Sequence, residues 1–184
     1  MVKFYIFDMD GTLCDSMTYW RGETEYVHLT TPKDADPMNS VYEHMREHYA
    51  NTIILKEGVI EALKEARRQG IKCCIASATA RNVSQPFLER SGLMEYMEFY
   101  IDCFEIGAFK NKPDIYLAAA ERLGATVPEC AVFEDAEYCA KTAHDAGFYV
   151  VGVYDRQSAS EGDCSKYSDM YIRSFKDFKG VNGK

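Results

Sequence analysis

Six short apolar runs, near residues 3–7, 72–76, 99–103, 130–133, 149–153 and 170–172, alternate with segments whose apolar residues recur at helical spacing. That alternation is the pattern of repeated βαβ units, so the fold class is α/β with a mostly parallel sheet flanked by helices. Residues 57–69 carry Val59, Ile60, Leu63 and Ala66 on one helical face, and Gly70 supplies the stop. Pro113 opens a second helix through Ile115, Leu117, Ala118 and Leu123 to Gly124, and residues 136–146 form a third that ends at Gly147. A further helix is expected from about Ser84 to Ser91, with Pro86 in its first turn.

The alternation breaks once. After the first run about fifty residues pass before the next helix-strand unit begins, more than a crossover helix requires. Residues 16–27 and 37–50 both read as helical, with the turn-rich break Pro32-Lys33-Asp34-Ala35-Asp36-Pro37 between them. The expected division is a core of residues 1–15 and 57–184 and a small helical insertion, 16–56, over the sheet. The plainer alternative is an extra helix pair that completes the core. Gly180 to Lys184 read as a frayed tail.

A chain of 184 residues can bury one α/β core plus such an insertion. Its net charge of −8, with no block of Lys or Arg, argues against nucleic acid as a partner. No apolar run is long enough to cross a bilayer, and Asp8 interrupts the first one, which excludes a secretory signal there; a cytoplasmic protein without membrane contact is expected. The seven cysteines are odd in number and lack C-x-x-C spacing; Cys73, Cys74, Cys103 and Cys130 fall in strand-like runs and read as reduced core thiols. No feature sets an oligomeric state.

In a parallel sheet, ligands bind beyond the carboxyl ends of the strands, where loops and helix N-termini converge. Those ends are polar here: Asp8-Met9-Asp10-Gly11-Thr12 after the first run, Ser77-Ala78-Thr79 after the second, and Glu134-Asp135 after the fourth. Each acid could simply cap the helix that follows it. Asp8 and Asp10 are harder to read that way, because a carboxylate directly after a buried strand costs desolvation energy unless something compensates it. Several carboxylates on one edge repel unless a hard cation lies between them, and an all-oxygen ligand set suits Mg2+. Lys112, just before the Pro113 helix, offers a further positive charge, with Lys110 in the same loop as its competitor. Lys112 is preferred, because a helix N-terminus directs it towards the strand ends where anions bind.

Phe7-Asp8-Met9-Asp10-Gly11-Thr12-Leu13 resembles the first motif of the haloacid dehalogenase-like hydrolases. Ile75-Ala76-Ser77-Ala78 is similar to their second motif, Lys112-Pro113-Asp114 to the third, and Phe133-Glu134-Asp135 to the fourth. The likeness runs in order from about residue 3 to residue 156 and points to the phosphatase and β-phosphoglucomutase-like members, which have a helical cap inserted after the first motif of a Rossmann-like core. The resemblance implies that Asp8 attacks phosphorus to form an aspartyl-phosphate, and that Asp10 is the general acid and base. It implies Mg2+ held by Asp8, Asp10 and Asp135 with Glu134 nearby, and a phosphoryl group held by Ser77, Ala78 and Lys112. The substrate would be a small phosphorylated metabolite.

The pattern also departs from the family. Sugar phosphomutases of this kind place His ten residues after the second Asp, where this chain has Trp20, which weakens but does not remove the mutase alternative. The fourth motif continues as Ala136-Glu137-Tyr138-Cys139 instead of a small residue and then Gly, which puts the local helix packing in question. Trp20, Arg21, His44, Arg46 and His48 are the insertion residues considered for substrate contact. A phospho-acceptor signalling module is a rival from another class, but its acceptor Asp follows a later strand. A non-catalytic binding module is the other, against which every expected catalytic position is filled.

Overall fold

The computed structural model describes residues 1–30 and 36–181, apart from the side chain of Leu29. Strands β1 (Phe4–Phe7), β2 (Lys72–Ser77), β3 (Tyr100–Asp102), β4 (Cys130–Glu134), β5 (Tyr149–Val153) and β6 (Met170–Ile172) form one sheet, all neighbours parallel, in the order β3-β2-β1-β4-β5-β6. All six expected runs are strands, and the fold is the α/β, Rossmann-like one.

Side chains of a strand alternate between the sheet's faces, and here both faces are apolar. Tyr5, Phe7, Ile75 and Phe133 enter one core. Ile6, Cys74, Ala76 and Val132 enter the other. Helix α3 (Val59–Arg68) and helix α4 (Arg81–Ser91) pack on the first face through Leu63 and Phe87. Helix α6 (Asp114–Leu123) and helix α7 (Glu137–Asp145) cover the second through Ile115, Ala119 and Ala140; between β3 and α6 lies the single turn α5 (Cys103–Ile106). On the first face Phe7, Phe133 and Phe175 form a three-ring cluster, with ring centroids 4.3 Å apart for Phe7–Phe133, 6.2 Å for Phe133–Phe175 and 6.3 Å for Phe7–Phe175.

The insertion forms helices α1 (Met17–Thr30) and α2 (Pro37–Asn51). Asp36 caps α2 by accepting from the Met38 and Asn39 amides, and Pro37 fits its first position because no N–H is needed there. The break expected at 32–37 otherwise falls on 31–35, outside the described residues. Glu23 of α1 accepts from His44 Nδ1 at 2.7 Å and His48 Nε2 at 2.8 Å of α2. Val27, Val41, Met45 and Tyr49 belong to the same apolar cluster as Tyr5 and Phe7 of β1.

Helix α4 starts at Arg81, earlier than expected, and Pro86 lies in its second turn. Two distant groups allow this. Asp102 Oδ2 accepts from the Arg81 amide at 3.0 Å, capping the helix. Proline at 86 leaves the Asn82 carbonyl without its helical donor, and Arg46 Nε of α2 supplies one at 3.3 Å. Arg90 of α4 in turn donates to the carbonyls of Tyr49 and Ile53 at the end of α2.

The tail expected to fray from Gly180 is docked at its start: Gly180 is buried and the Val181 amide donates to the Tyr5 hydroxyl at 3.1 Å, just after the buried rings of Phe175 and Phe178. Residues 182–184 lie outside the described residues. All seven cysteines are buried free thiols. Among the described residues no helix is long and apolar enough to cross a membrane.

Candidate active site

The strand order turns back on itself between β1 and β4, and at such a switch point the connections on the two sides diverge and leave a crevice at the carboxyl ends. Asp8 continues the ladder past β1, its amide donating to the Phe133 carbonyl at 2.9 Å, so its carboxylate emerges beside Glu134 and Asp135 at the end of β4. Gly11 then turns the chain with φ of +84°, and a Cβ there would lie 2.1 Å from Asp135 Oδ2. Only glycine satisfies both demands.

Carboxylate oxygens of Asp8, Glu134 and Asp135, all buried, lie within 4.8 Å of one another. Lys110 Nζ donates to Asp8 Oδ1 at 2.5 Å and to Glu134 Oε1 at 2.7 Å, and the Tyr116 hydroxyl donates to Glu134 Oε1 at 2.7 Å. Thr12 Oγ1 donates to Asp135 Oδ1 at 3.1 Å, and Ser158 to Oδ2 of the same group. Three buried carboxylates therefore share this edge with one buried ammonium. Burial raises the pKa of Asp8 against the pull of Lys110. Burial also pushes Glu134 up to about 8 and Asp135 up to about 7. Burial opposes the charge on Lys110, yet Asp8 and Glu134 beside it raise its pKa well above the ordinary range. An excess of hard oxygen donors over positive charge fits a divalent cation such as Mg2+.

Asp10 faces another way. Its Oδ1 accepts from Ser16 Oγ at 2.6 Å and from the Tyr49 hydroxyl, and its Oδ2 from Thr79 Oγ1 at 2.7 Å. Tyr49 itself accepts from Trp20 Nε1 at 3.0 Å, which links α1 to α2 and both to the β1 loop. Asp8, Asp10, Lys110, Glu134 and Asp135 line one cavity of about 310 Å³, walled by Ala78 and Thr79 on one side and by Met17, Trp20, Met38 and Tyr42 of the helical pair on another.

The lysine at this site is Lys110, which corrects the preference for Lys112. The Lys112 amide closes a turn onto the Phe109 carbonyl at 3.0 Å; Lys110 sits inside that turn and reaches the carboxylates, while Lys112 is exposed. Helix α6 begins with Asp114, whose own charge already complements its N-terminus. Ser77 is fully buried and is absent from the cavity wall, its Oγ accepting from the Thr79 amide at 3.0 Å. Of the five insertion residues considered, only Trp20 lines the cavity.

Sequence reasoning passed over Thr79 although it shares a strand end with Ser77, a signal that was present. Tyr49, Tyr116 and Ser158 carried none, since at their positions they read as core or surface. The altered fourth motif places Ala136, Tyr138 and Cys139 on the cavity wall.

Residues 24–147 match the haloacid dehalogenase-like hydrolase family. A haloacid dehalogenase-like hydrolase domain-containing protein of Arabidopsis thaliana is 32% identical over 58% of this chain, which spans only 34% of that protein's length. Beta-phosphoglucomutase of Bacillus subtilis is 24% identical, with 96% of this chain and 91% of the enzyme covered. A phosphorylated carbohydrates phosphatase of Thermotoga maritima is 28% identical over 77% of this chain and 80% of its own. Among solved structures, CbbY from Rhodobacter sphaeroides in complex with phosphate superposes with a TM-score of 0.83 at 19% identity, covering 98% of each chain. Motif order, sheet topology and the family match agree: the chain belongs to the haloacid dehalogenase-like hydrolases.

Proposed function

We propose that the protein is a Mg2+-dependent phosphatase that hydrolyses a small phosphate monoester through an aspartyl-phosphate on Asp8. The observation that carries this reading is the buried cluster at the switch point: one carboxylate, Asp8, against Lys110, with Glu134 and Asp135 alongside and Asp10 on the wall of the same cavity.

Asp8 supplies the attacking oxygen; a P–O bond forms to its carboxylate as the bond to the substrate alkoxide breaks. Asp10 delivers a proton to that alkoxide and later takes one from the water that cleaves the acyl phosphate, returning Asp8 to its free form. Three hydroxyls hold Asp10 in a defined orientation, which is what proton transfer at a fixed distance requires. Lys110 holds Asp8 in place and offers its ammonium to the phosphoryl oxygens, with the chain at Ala78 as a further wall. Asp8, Glu134 and Asp135 would hold the Mg2+, which when bound neutralises charge between nucleophile and phosphate.

The mutase alternative has the relationship to beta-phosphoglucomutase in its favour. Against it, Trp20 occupies the position where such enzymes carry His, and its indole N–H is committed to Tyr49.

The test is turnover of an aryl phosphate by wild type with Mg2+, by wild type in EDTA, and by Asp8→Asn. Activity abolished by both changes supports the mechanism. Turnover that survives in Asp8→Asn rules it out.

A further inference from the structure

We propose that the alcohol portion of the substrate is an aromatic or otherwise flat apolar group, and that the wall formed by Trp20, Tyr42, Met17, Met38 and Tyr138 is its binding surface. This deepens the phosphatase reading and rests on it.

Every charged side chain lining the cavity belongs to the phosphate end: Asp8, Asp10, Lys110, Glu134 and Asp135. The rest of the lining is mostly apolar or aromatic, Met17, Trp20, Met38, Tyr42, Tyr138 and Cys139 with Ala78 and Ala136, and its one aliphatic hydroxyl among the described residues, Thr79, is spent on Asp10. Trp20 and Tyr42 meet edge to face, centroids 6.2 Å apart at 82°, and make a corner that a third ring can enter. Met38 and Tyr138 reach the same cavity and are 43% and 59% exposed, which leaves thioether and ring surface open at its mouth.

A polyhydroxylated sugar needs the opposite lining, because each hydroxyl removed from water must find a donor or acceptor. The charged side chains, imidazoles and indole N–H of the helical pair considered for substrate contact are bonded to other groups, which leaves the Tyr42 ring edge as the pair's polar point on the cavity. Arg21 bonds Glu25, Gln157 and Ser160. His44 and His48 both hold Glu23, and Arg46 serves the Asn82 carbonyl. The Trp20 N–H is used by Tyr49.

Two primary-alcohol esters separate the classes without changing leaving-group chemistry: 2-phenylethyl phosphate and sorbitol 6-phosphate. The expected kcat/KM favours the phenylethyl ester by about 10- to 100-fold, the amount that burial of one ring supplies. Equal rates, or a preference for the hexitol ester, overturn the inference and leave the phosphatase reading standing. Tyr138→Ser and Met38→Ser, both at exposed positions, should narrow the preference for phenylethyl over ethyl phosphate by about 3- to 10-fold; an unchanged preference counts against the wall.

Binding is read separately, since Trp20 is the chain's one tryptophan. Saturable quenching of its fluorescence by 2-phenylethylphosphonate, well below the concentration at which inorganic phosphate acts, is expected. Quenching without turnover of any ester would keep the aromatic site and discard the phosphatase. Neither quenching nor turnover overturns both.

Discussion

The Tyr49 hydroxyl, at the end of helix α2, donates to the carboxylate of Asp10 in the β1 loop, 39 positions earlier in the chain. Arg90 fixes Tyr49 from behind by bonding its carbonyl at 2.8 Å, and Trp20 donates to its oxygen at 3.0 Å. Tyr49→Phe keeps the buried ring and removes the hydroxyl, the donor to Asp10 and the acceptor of the Trp20 N–H. A charge-assisted hydrogen bond of this kind contributes about 1.5–3 kcal/mol, so kcat should fall about 10- to 100-fold with KM changed far less. The folded protein should melt within a few degrees of wild type. A loss of activity matched by a loss of fold would mean that Tyr49 is structural alone.

Lys110 and Lys112 are two residues apart and should behave as opposites. Lys110→Met leaves Asp8 and Glu134 facing each other without their shared ammonium, which should cost about 3 kcal/mol of stability and at least about 100-fold in turnover. Lys112→Met changes an exposed side chain and should leave stability within about 0.5 kcal/mol and activity within twofold or so. Urea melts with parallel rate measurements decide between them.

Metal-free protein should lose stability as pH rises. An unfolded carboxylate titrates near about 4, whereas burial raises Asp135 to about 7 and Glu134 to about 8 in the folded chain. Between those values the folded state holds protons that the unfolded state has released, so the advantage is full below about pH 4 and gone above about pH 8. In EDTA the Tm should decline from about pH 5.5 to about pH 8. Added Mg2+ should raise Tm more at about pH 8, where fewer protons have to be displaced, than at about pH 6. A Mg2+ shift that is the same at both pH values would contradict the shared site.

Gly11→Ala tests the loop that separates the two acids of the first motif. The new methyl would need both a left-handed backbone and the space held by Asp135 Oδ2, 2.1 Å away. A loss of at least about 2 kcal/mol is expected, and the thermal response to Mg2+ should weaken because Asp135 must move. Retention of the full Mg2+ response would show that Asp135 is not where cation binding is decided.

The sequence alone determined the sheet and the acidic residues along its edge. Strand and helix periodicity are local properties, so the six apolar runs and the stops at Gly70, Gly124 and Gly147 could be read without any tertiary contact. Asp8, Glu134 and Asp135 followed from the same logic, because a carboxylate at the end of a buried strand has only one edge to face. Tertiary structure decided which groups answer those charges. Lys110 meets Asp8 across 102 positions because a turn closed by the Lys112 amide directs it inward, and no pattern in the flanking residues distinguishes the two lysines. The start of α4, supplied with partners by Asp102 and Arg46, and the orientation of Asp10, set by Tyr49 and Thr79, are likewise agreements between distant segments. Periodicity is written into neighbouring residues, but the pairing of buried charges and unsatisfied backbone groups depends on which segments packing brings within about 3 Å.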